Sequence, residues 1–295
     1  MKRLLLVLSL LFVNVLPVHA EPAPSIAIID SGFNTSLYSD SVVAEVCLLE
    51  YSNCPNGKPT MEGAGAASIP TLKSDTLNHG TQMMSVIKSV NPSAKLILIR
   101  IVGTTDSGLQ LIYSNKAVKM GLDWVAANRV KYNISVVNVS QGAVFAGCAV
   151  PTGTADVVAS LKAANVPVIA ATGNNSNRTA INSIACLSDV VSVGATDNPD
   201  PGITKKAYDK TAKPYIARYS NGDATVDFYL NGRWYVTNYN GTTKFMAGTS
   251  TATASLAGWW LLNRKSSFDE TYNWLVSSSV STSNEWLSGR YISLP

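Results

Sequence analysis

His79 is the side chain of this sequence best suited to carry a proton. The 295-residue chain has two histidines, and the other, His19, lies in an N-terminal segment that looks removable. No other unperturbed side chain changes its charge between pH 5 and 8. Because a lone histidine is more often structural than catalytic, the assignment depends on chemical partners elsewhere in the chain.

Two further polar residues stand where α/β proteins build functional sites. Asp30 ends the apolar run 25–29, which is typical of a buried strand, and Ser31-Gly32 follows it. Ligands of open α/β sheets bind beyond the carboxyl ends of the strands. Ser250 stands where a helix would begin. Each has a structural alternative, a turn for the aspartate and a helix cap for the serine.

The composition narrows the possible functions. The chain is 46% apolar and only 14% charged, which favours a sizeable folded core over disorder. The net charge is +4, or +2 without Lys2 and Arg3, and no basic run occurs. Nucleic acid and anionic membrane surfaces are therefore not expected as partners.

Residues 1–20 have the pattern of a secretory signal peptide. Lys2 and Arg3 precede an apolar stretch at 4–13, and Ala20 offers a small residue at the cut. Asn14 and Pro17 keep the apolar stretch shorter than the ~20 residues of a membrane span. We expect cleavage, a mature domain at 21–295, a secreted or periplasmic location, and no membrane attachment afterwards.

Export makes the four cysteines candidates for disulfides. They allow three pairings. Cys47 and Cys54 are seven residues apart across a turn-like stretch, which suits a local loop and would leave Cys148 with Cys186. A metal site is the alternative, but the sequence has no CxxC pair to support it.

Short apolar runs alternate with helical patterns through most of the chain. Strands are predicted at 25–29, 42–49, 96–102, 135–139, 166–171 and 190–194. Helices are predicted from 75 or 76 to about 90, and at 109–128 and 155–164. This alternation indicates an α/β fold with a central, mainly parallel sheet, helices on both faces and right-handed crossovers.

The remaining segments carry weaker patterns. Residues 55–70 are rich in Gly, Ala and Pro and are interpreted as a surface loop. An alternating stretch at 228–237 around Asn231-Gly232 predicts a β-hairpin, and the Tyr, Trp and Asn residues of 228–240 are interpreted as a cover for the sheet edge. Helices are predicted after Ser250 and at 268–277.

Five sequence blocks occur in an order known from one peptidase family. They are IIDSG (28–32), NHGT (78–81), VNVSQG (137–142), AATGN (170–174) and GTSTA (248–252). The order Asp, His, Ser is that of subtilisin. On these blocks the chain resembles the subtilisin-like serine peptidases, the subtilase family, over roughly 25–290. The resemblance implies the three-layer subtilisin-like fold.

The resemblance also implies a role for each residue. Ser250 would be the nucleophile, His79 the general base and then acid, and Asp30 the group that orients the imidazole. Asn174 would stabilise the oxyanion with the Ser250 backbone N–H. Asn175 is the alternative, and Asn174 is preferred because it directly follows Gly173.

A polypeptide substrate in extended form is the implied partner. It would pair with the backbone of Ser140, Gln141 and Gly142. The side-chain pocket would lie between that segment and 171–174, which includes Thr172 and Gly173, with 184–186 near its floor. A Cys148–Cys186 disulfide would then join two loops that border the pocket. We expect a monomer without a cofactor.

The sequence departs from the family pattern at several positions. Gln82 stands where many members have a second histidine, Ala254 where many have proline, and Met83-Met84 where small residues are usual. The predicted helix runs into Asn91-Pro92 without the calcium-binding insertion of many members. Asp40 could correspond to one calcium ligand, but calcium is not expected to be required, and no metal ligand is assigned.

The resemblance implies a secreted serine endopeptidase that acts through an acyl-enzyme. Only nine residues separate the predicted cut from Asp30, so an inhibitory propeptide is not expected. The alternatives are a catalytically silent binding protein of the same family and a peptide-processing or ligating variant. An esterase would carry G-x-S-x-G, and GTSTA lacks the second glycine.

Overall fold

The structure is a computed structural model that describes residues 22–69, 75–104, 111–144, 148–197 and 214–293. The predicted signal peptide, residues 1–20, lies outside the described residues. Among the described residues, no helix combines the length and the apolar character that a membrane crossing needs.

The described ranges contain strands, α-helices and two short 3₁₀ turns. The strands are β1 (Ser25–Asp30), β2 (Val42–Leu48), β3 (Thr60–Glu62), β4 (Lys95–Arg100), β5 (Gly103–Thr104), β6 (Leu111–Ile112), β7 (Ile134–Val139), β8 (Val168–Ala171), β9 (Val190–Asp197), β10 (Tyr215–Ile216), β11 (Phe228–Asn231), β12 (Arg233–Thr237), β13 (Thr243–Ala247), β14 (Val280–Ser283) and β15 (Ser288–Tyr291). The helices are α1 (His79–Val90), α2 (Asn115–Asn128), α3 (Thr154–Ala163), α4 (Thr249–Asn263) and α5 (Phe268–Ser278), and the 3₁₀ turns lie at Thr35–Ser41 and Asp75–Asn78.

One large sheet organises the molecule. Its strand order is β14-β15-β11-β9-β8-β7-β1-β4-β2-β3, with β10 also paired to β9. Neighbouring strands from β15 to β2 in this order are parallel. The antiparallel pairs are β2–β3, β9–β10 and β14–β15. The predicted α/β class with a mainly parallel sheet is confirmed.

Helices cover both faces of the sheet because its strands are apolar on both sides. In β1, Ala27 and Ile29 join the core beneath α2 and α3, whereas Ile26 and Ile28 join the core beneath α1, α4 and α5. Helix α4 is buried along nearly its whole length. A helix buried on all sides lies inside the core, and α4 therefore forms a rigid support for its own N-terminus.

The hairpin predicted at 228–237 is wrong. Strand β11 pairs in parallel with β9 and β15, whereas β12 pairs with β13 in a separate two-stranded sheet. The side chains of Phe228, Tyr229 and Leu230 are buried, so β11 is a fully covered inner strand rather than half of a surface hairpin. The β12–β13 pair covers α1 instead of the sheet edge, since the Thr237 N–H donates to Ser85 Oγ at 3.0 Å.

The helix predicted at 109–128 begins later, at Asn115. Leu111–Ile112 forms β6, paired with β5, and the Ser114 hydroxyl then accepts a hydrogen bond from the Ala117 N–H at 2.9 Å. A serine that caps the first turn sets the start of a helix more strongly than the apolar spacing before it. The predicted loop at 55–70 likewise contains a strand, β3, paired with β2.

The cysteines form two disulfides. Cys47 is bonded to Cys54 and Cys148 to Cys186. The first closes a short loop after β2. The second joins the loop after β7 to the loop before β9, which makes it a link between two of the loops at the carboxyl edge of the sheet.

Candidate active site

Asp30 and His79 form a buried hydrogen-bonded pair at the carboxyl end of β1. The Nδ1 atom of His79 lies 2.8 Å from Asp30 Oδ1 and 3.0 Å from Oδ2. The Asp30 side chain is fully buried, whereas the His79 side chain is 17% exposed. The Nδ1–H therefore faces the carboxylate, and Nε2 is left free to exchange a proton.

The loop after β1 and the start of α1 are clamped together. Ser31 Oγ donates to the Leu77 carbonyl at 3.0 Å and accepts from the Gly80 N–H at 3.1 Å. A Cβ at Gly80 would lie 2.7 Å from the Gly32 carbonyl oxygen, which no real Cβ tolerates. The glycine after His79 is thus required for the close approach that holds the imidazole over Asp30.

Gln141 is a third member of this cluster. Its Nε2 atom donates to Asp30 Oδ1 at 2.9 Å and lies 3.0 Å from His79 Nδ1. The sequence places Gln141 in the substrate-binding segment, and the contact with Asp30 is one that sequence reasoning missed. No sequence signal could reveal it, because the two residues are 111 positions apart.

Ser250 lies in the first turn of α4 and faces the segment after β7. Its hydroxyl donates to the Ser140 carbonyl at 3.2 Å, and the Ser140 hydroxyl donates back to the Ser250 carbonyl at 3.1 Å. No hydrogen bond joins Ser250 to His79 in this conformation of the described residues. Catalytic hydrogen bonds are often long or unformed without substrate, and Ser250 and His79 line the same cleft.

Asn174 follows β8 and reaches across to the start of α4. Its Oδ1 atom accepts hydrogen bonds from the Thr249 N–H at 2.9 Å and from the Thr249 hydroxyl at 3.0 Å. The residue before it, Gly173, has φ +102, a backbone conformation that favours glycine. Asn174 is exposed, so its amide nitrogen can face a substrate.

Asn221 organises the loop around this amide. Its side chain accepts from the Asn175 and Asn177 N–H groups at 2.8 and 3.0 Å and donates to the Thr172 carbonyl at 3.0 Å. It also donates to Asn175 Oδ1 at 3.3 Å, so Asn175 is tied to the loop. Sequence reasoning missed this role, since Asn221-Gly222 is ordinary turn chemistry.

Thr172 is placed differently from its predicted role. Its side chain is fully buried, and its hydroxyl donates to the Asn221 carbonyl at 2.9 Å. It is not among the residues that line the cleft. The Thr172 side chain therefore supports the loop that carries Asn174 and does not line the cleft.

The predicted site residues other than Asp30, Thr172 and the cysteines line one cleft of about 310 Å³. It is lined by Ser31, His79, Val102, Tyr113, Ser140, Gln141, Gly142, Ala171, Gly173, Asn174, Asn175, Asn182, Thr249 and Ser250. Asp30 lies behind His79 and is not part of the lining. The described lining contains no Asp, Glu, Lys or Arg.

The segment 184–186, predicted near the floor of the cleft, is not part of the lining. Ile184 and Ala185 belong to the core beneath α2 and α3, whereas Asn182 lines the cleft. The Asn182 amide packs between Gly142 and Gly173, where added Cβ atoms would lie 2.7 Å from its nitrogen and oxygen respectively. Its nitrogen donates to the Ala171 carbonyl at 3.1 Å, and this bond fixes the orientation of the amide.

Ionisable groups near the cleft are few. Burial raises the pKa of Tyr113, whose neutral phenol donates to Asn115 Oδ1 at 2.7 Å. Within the described ranges, no group of three or more His, Cys, Asp or Glu side chains is gathered closely enough to hold a metal ion. Asp30, His79 and Ser250 are themselves groups suited to acid–base and nucleophilic chemistry.

Comparison with known proteins places this geometry in context. The family model described as the subtilase family matches residues 22–275. An extracellular serine proteinase of Thermus sp. (strain Rt41A) is 30% identical over 193 residues, which cover 62% of this chain and 40% of the relative. Subtilisin Savinase of Lederbergia lenta is 28% identical over 207 residues, 66% of each protein.

Solved structures of subtilisin-like proteins have the same fold as this chain. A cold-adapted subtilisin-like serine proteinase superposes with a TM-score of 0.65 over 93% of this chain and 90% of its own, at 20% identity. The chain aligns with about two fifths of the length of the Thermus relative and of a cuticle-degrading protease of Arthrobotrys oligospora.

Proposed function

Because the chain belongs to the subtilase family, whose members are serine peptidases, we propose that it is an exported serine endopeptidase that cleaves peptide bonds through an acyl-enzyme. The observation that carries the proposal is the Asp30–His79 hydrogen bond at 2.8 Å, with His79 and Ser250 lining the same cleft. Nucleophile, base and orienting carboxylate come from α4, α1 and β1, so the packed core holds their relative positions.

The reaction begins with a rotation of the Ser250 hydroxyl from the Ser140 carbonyl to His79 Nε2. The imidazole takes the hydroxyl proton as Oγ attacks the peptide carbonyl carbon, whose π electrons move onto oxygen. Asp30 keeps the Nδ1–H in place and stabilises the imidazolium. The tetrahedral oxyanion then receives hydrogen bonds from the Asn174 amide nitrogen and the Ser250 N–H.

Collapse of this intermediate breaks the carbon–nitrogen bond. The imidazolium gives its proton to the leaving amine, which leaves an ester on Ser250. Water then enters, His79 takes its proton, and hydroxide attacks the ester carbonyl. Collapse of the second oxyanion releases the carboxylic acid and returns the proton to Ser250 Oγ.

A polypeptide in extended form is the proposed substrate. It would pair with the backbone at Ser140–Gln141–Gly142, one wall of the cleft. Its side chain would enter between Gly142 and Gly173, above Asn182. The uncharged lining favours neutral side chains at this position.

Export is part of the proposal. It is supported by the signal-like pattern of residues 1–20, the two disulfides and the extracellular location named for the Thermus relative. Disulfides persist mainly in oxidising compartments, and a secreted or periplasmic location follows. A monomeric enzyme without nucleic-acid or membrane partners remains our expectation.

A serine-directed fluorophosphonate probe tests the proposed activity. The purified wild type should be labelled and should release peptides from labelled casein, whereas Ser250→Ala and His79→Ala should do neither. Folded wild type that stays unlabelled would contradict the proposal and favour a binding protein of the same family. Labelling with joined rather than cleaved peptides as products would favour the ligating variant.

A further inference from the structure

The Gln141 side chain touches the pair that activates the nucleophile. Its amide nitrogen is 2.9 Å from Asp30 Oδ1 and 3.0 Å from His79 Nδ1. The resemblance assigns Gln141 only a backbone role beside the substrate. The proposed mechanism also leaves its side chain without a task.

The hydrogen-bond chemistry fixes the direction of these contacts. His79 Nδ1 lies within 3.0 Å of both carboxylate oxygens of Asp30, so this nitrogen carries the proton. A donor cannot hydrogen-bond to another donor, and the Gln141 N–H is therefore directed at Asp30 Oδ1 alone. The reversed amide would place its oxygen against the carboxylate, which would be repulsive.

Three donors thus converge on one carboxylate oxygen. Asp30 Oδ1 accepts from the Ser31 N–H at 2.6 Å, from His79 at 2.8 Å and from Gln141 at 2.9 Å. The Ser31 contact fixes the carboxylate from the strand side. Gln141 fixes it from the side of the substrate-binding segment and packs against the edge of the imidazole ring.

We propose that Gln141 is a positioning residue that links the substrate-binding segment to the base, by anchoring Asp30 and limiting the tilt of the His79 ring. The backbone that would pair with the peptide and the side chain that contacts Asp30 belong to the same residue. A peptide that pairs with this segment would therefore act on the alignment of His79 through the Gln141 side chain. This inference rests on the proposed function.

Two near-isosteric variants separate a donor role from simple space filling. Gln141→Met keeps the length of the side chain and removes the donor. Gln141→Glu keeps the shape and replaces the donor with an oxygen that repels the Asp30 carboxylate. Gln82→Met is the matched control, because Gln82 is buried on α1 one turn from His79 and donates to Asn238 at 2.9 Å without touching the pair.

Fluorophosphonate labelling at increasing probe concentration gives a maximal rate constant and a half-saturating concentration. Loss of one hydrogen bond to a charged group should lower the maximal rate about tenfold in Gln141→Met, with half-saturation changed by less than about twofold. Gln141→Glu should lower the maximal rate by more than Gln141→Met does. Gln82→Met should keep the wild-type maximal rate.

An NMR signal reports the alignment directly. The downfield proton resonance of the imidazole Nδ1–H should move in Gln141→Met and stay in Gln82→Met, with thermal melting confirming that each variant is folded. An unchanged resonance and an unchanged maximal rate in folded Gln141→Met would overturn the inference. Since wild-type labelling alone tests the peptidase activity, failure of one proposal is distinguishable from failure of the other.

Discussion

Asn174 is held by Thr249 through two hydrogen bonds, with its amide oxygen accepting from the Thr249 N–H at 2.9 Å and from the hydroxyl at 3.0 Å. The residue before the candidate nucleophile therefore decides which way the amide faces. With the oxygen engaged, the nitrogen is the atom available to a substrate. The helix that carries Ser250 and the loop that carries Asn174 thus form one unit.

Asn174→Ala should lower kcat about 10²–10³-fold with little change in KM. The reason is that the amide would act on the oxyanion, which exists only after attack. The magnitude is the one known for the corresponding asparagine of subtilisin. Casein hydrolysis checks it, with Asn175→Ala for comparison. A loss of kcat of the same size in Asn175→Ala would mean that oxyanion stabilisation cannot be assigned to Asn174 alone.

Thr249→Val should lower kcat several-fold, whereas Thr249→Ser should retain most of it. Valine keeps the shape and the backbone N–H but removes the hydroxyl that bonds to Asn174 and accepts from the Gly173 N–H at 3.2 Å. A loss of about fivefold corresponds to one ordinary hydrogen bond of about 1 kcal/mol. Equal activity of the two variants, measured on casein, would show that the hydroxyl has no orienting role.

His79→Ala and Ser250→Ala should each abolish nearly all activity, and the double variant should be no worse than either. The mature range 21–295 holds no second histidine, so no other imidazole can serve as base. In subtilisin, where this non-additivity is known, each loss is about 10⁶-fold in kcat. Rates of casein hydrolysis by all three variants, compared with the wild type, measure it. Additive losses would indicate that the two residues act independently.

Removal of the Cys148–Cys186 disulfide should destabilise the protein more than removal of Cys47–Cys54. The bonds close loops with sequence separations of 38 and 7 residues. Loop-closure entropy then gives about 4 and 2.5 kcal/mol. Urea unfolding of the two paired Cys→Ser variants compares their free energies of unfolding. The reverse order would mean that strain or residual structure outweighs the entropy term.

Chelation of divalent metal by EDTA should leave the melting temperature unchanged. The described residues bring together no group of three or more acidic, histidine or cysteine side chains, and calcium sites are built mainly on carboxylate oxygens. Differential scanning calorimetry with and without EDTA makes the measurement, with added calcium as the reverse test. A large fall in melting temperature would reveal a site formed in another way.

The fold was predictable where a short apolar run in the sequence allows only one kind of structure, a buried strand. The runs that became β1, β4, β7, β8 and β9 are buried on both faces, and only a sheet covered by helices can satisfy such runs. The hairpin at 228–237 failed because the same alternation suits either a surface hairpin or a buried strand followed by a turn. The pairing partner of β11, which is β9, decided between the two.

The site was predictable to the extent that each residue has a local signature. Asp30 ends a buried strand, and Ser250 begins a helix beside Thr249, so motif and element coincide. Thr172 shows the limit, because it belongs to the same block as Asn174 yet its side chain is buried and bonded to the Asn221 carbonyl. Side-chain direction at a strand end depends on what packs against it.

The sequence by itself determined the chemical groups available: one imidazole in the mature range, a carboxylate after a buried strand and a serine at a helix start. Only the tertiary structure decided that Gln141 donates to Asp30, that Thr249 orients Asn174 and that Asn182 closes the cleft. The physical reason is that composition and periodicity act between near neighbours along the chain. Hydrogen bonds between residues about 75 to 111 positions apart form only after the strands and helices have packed.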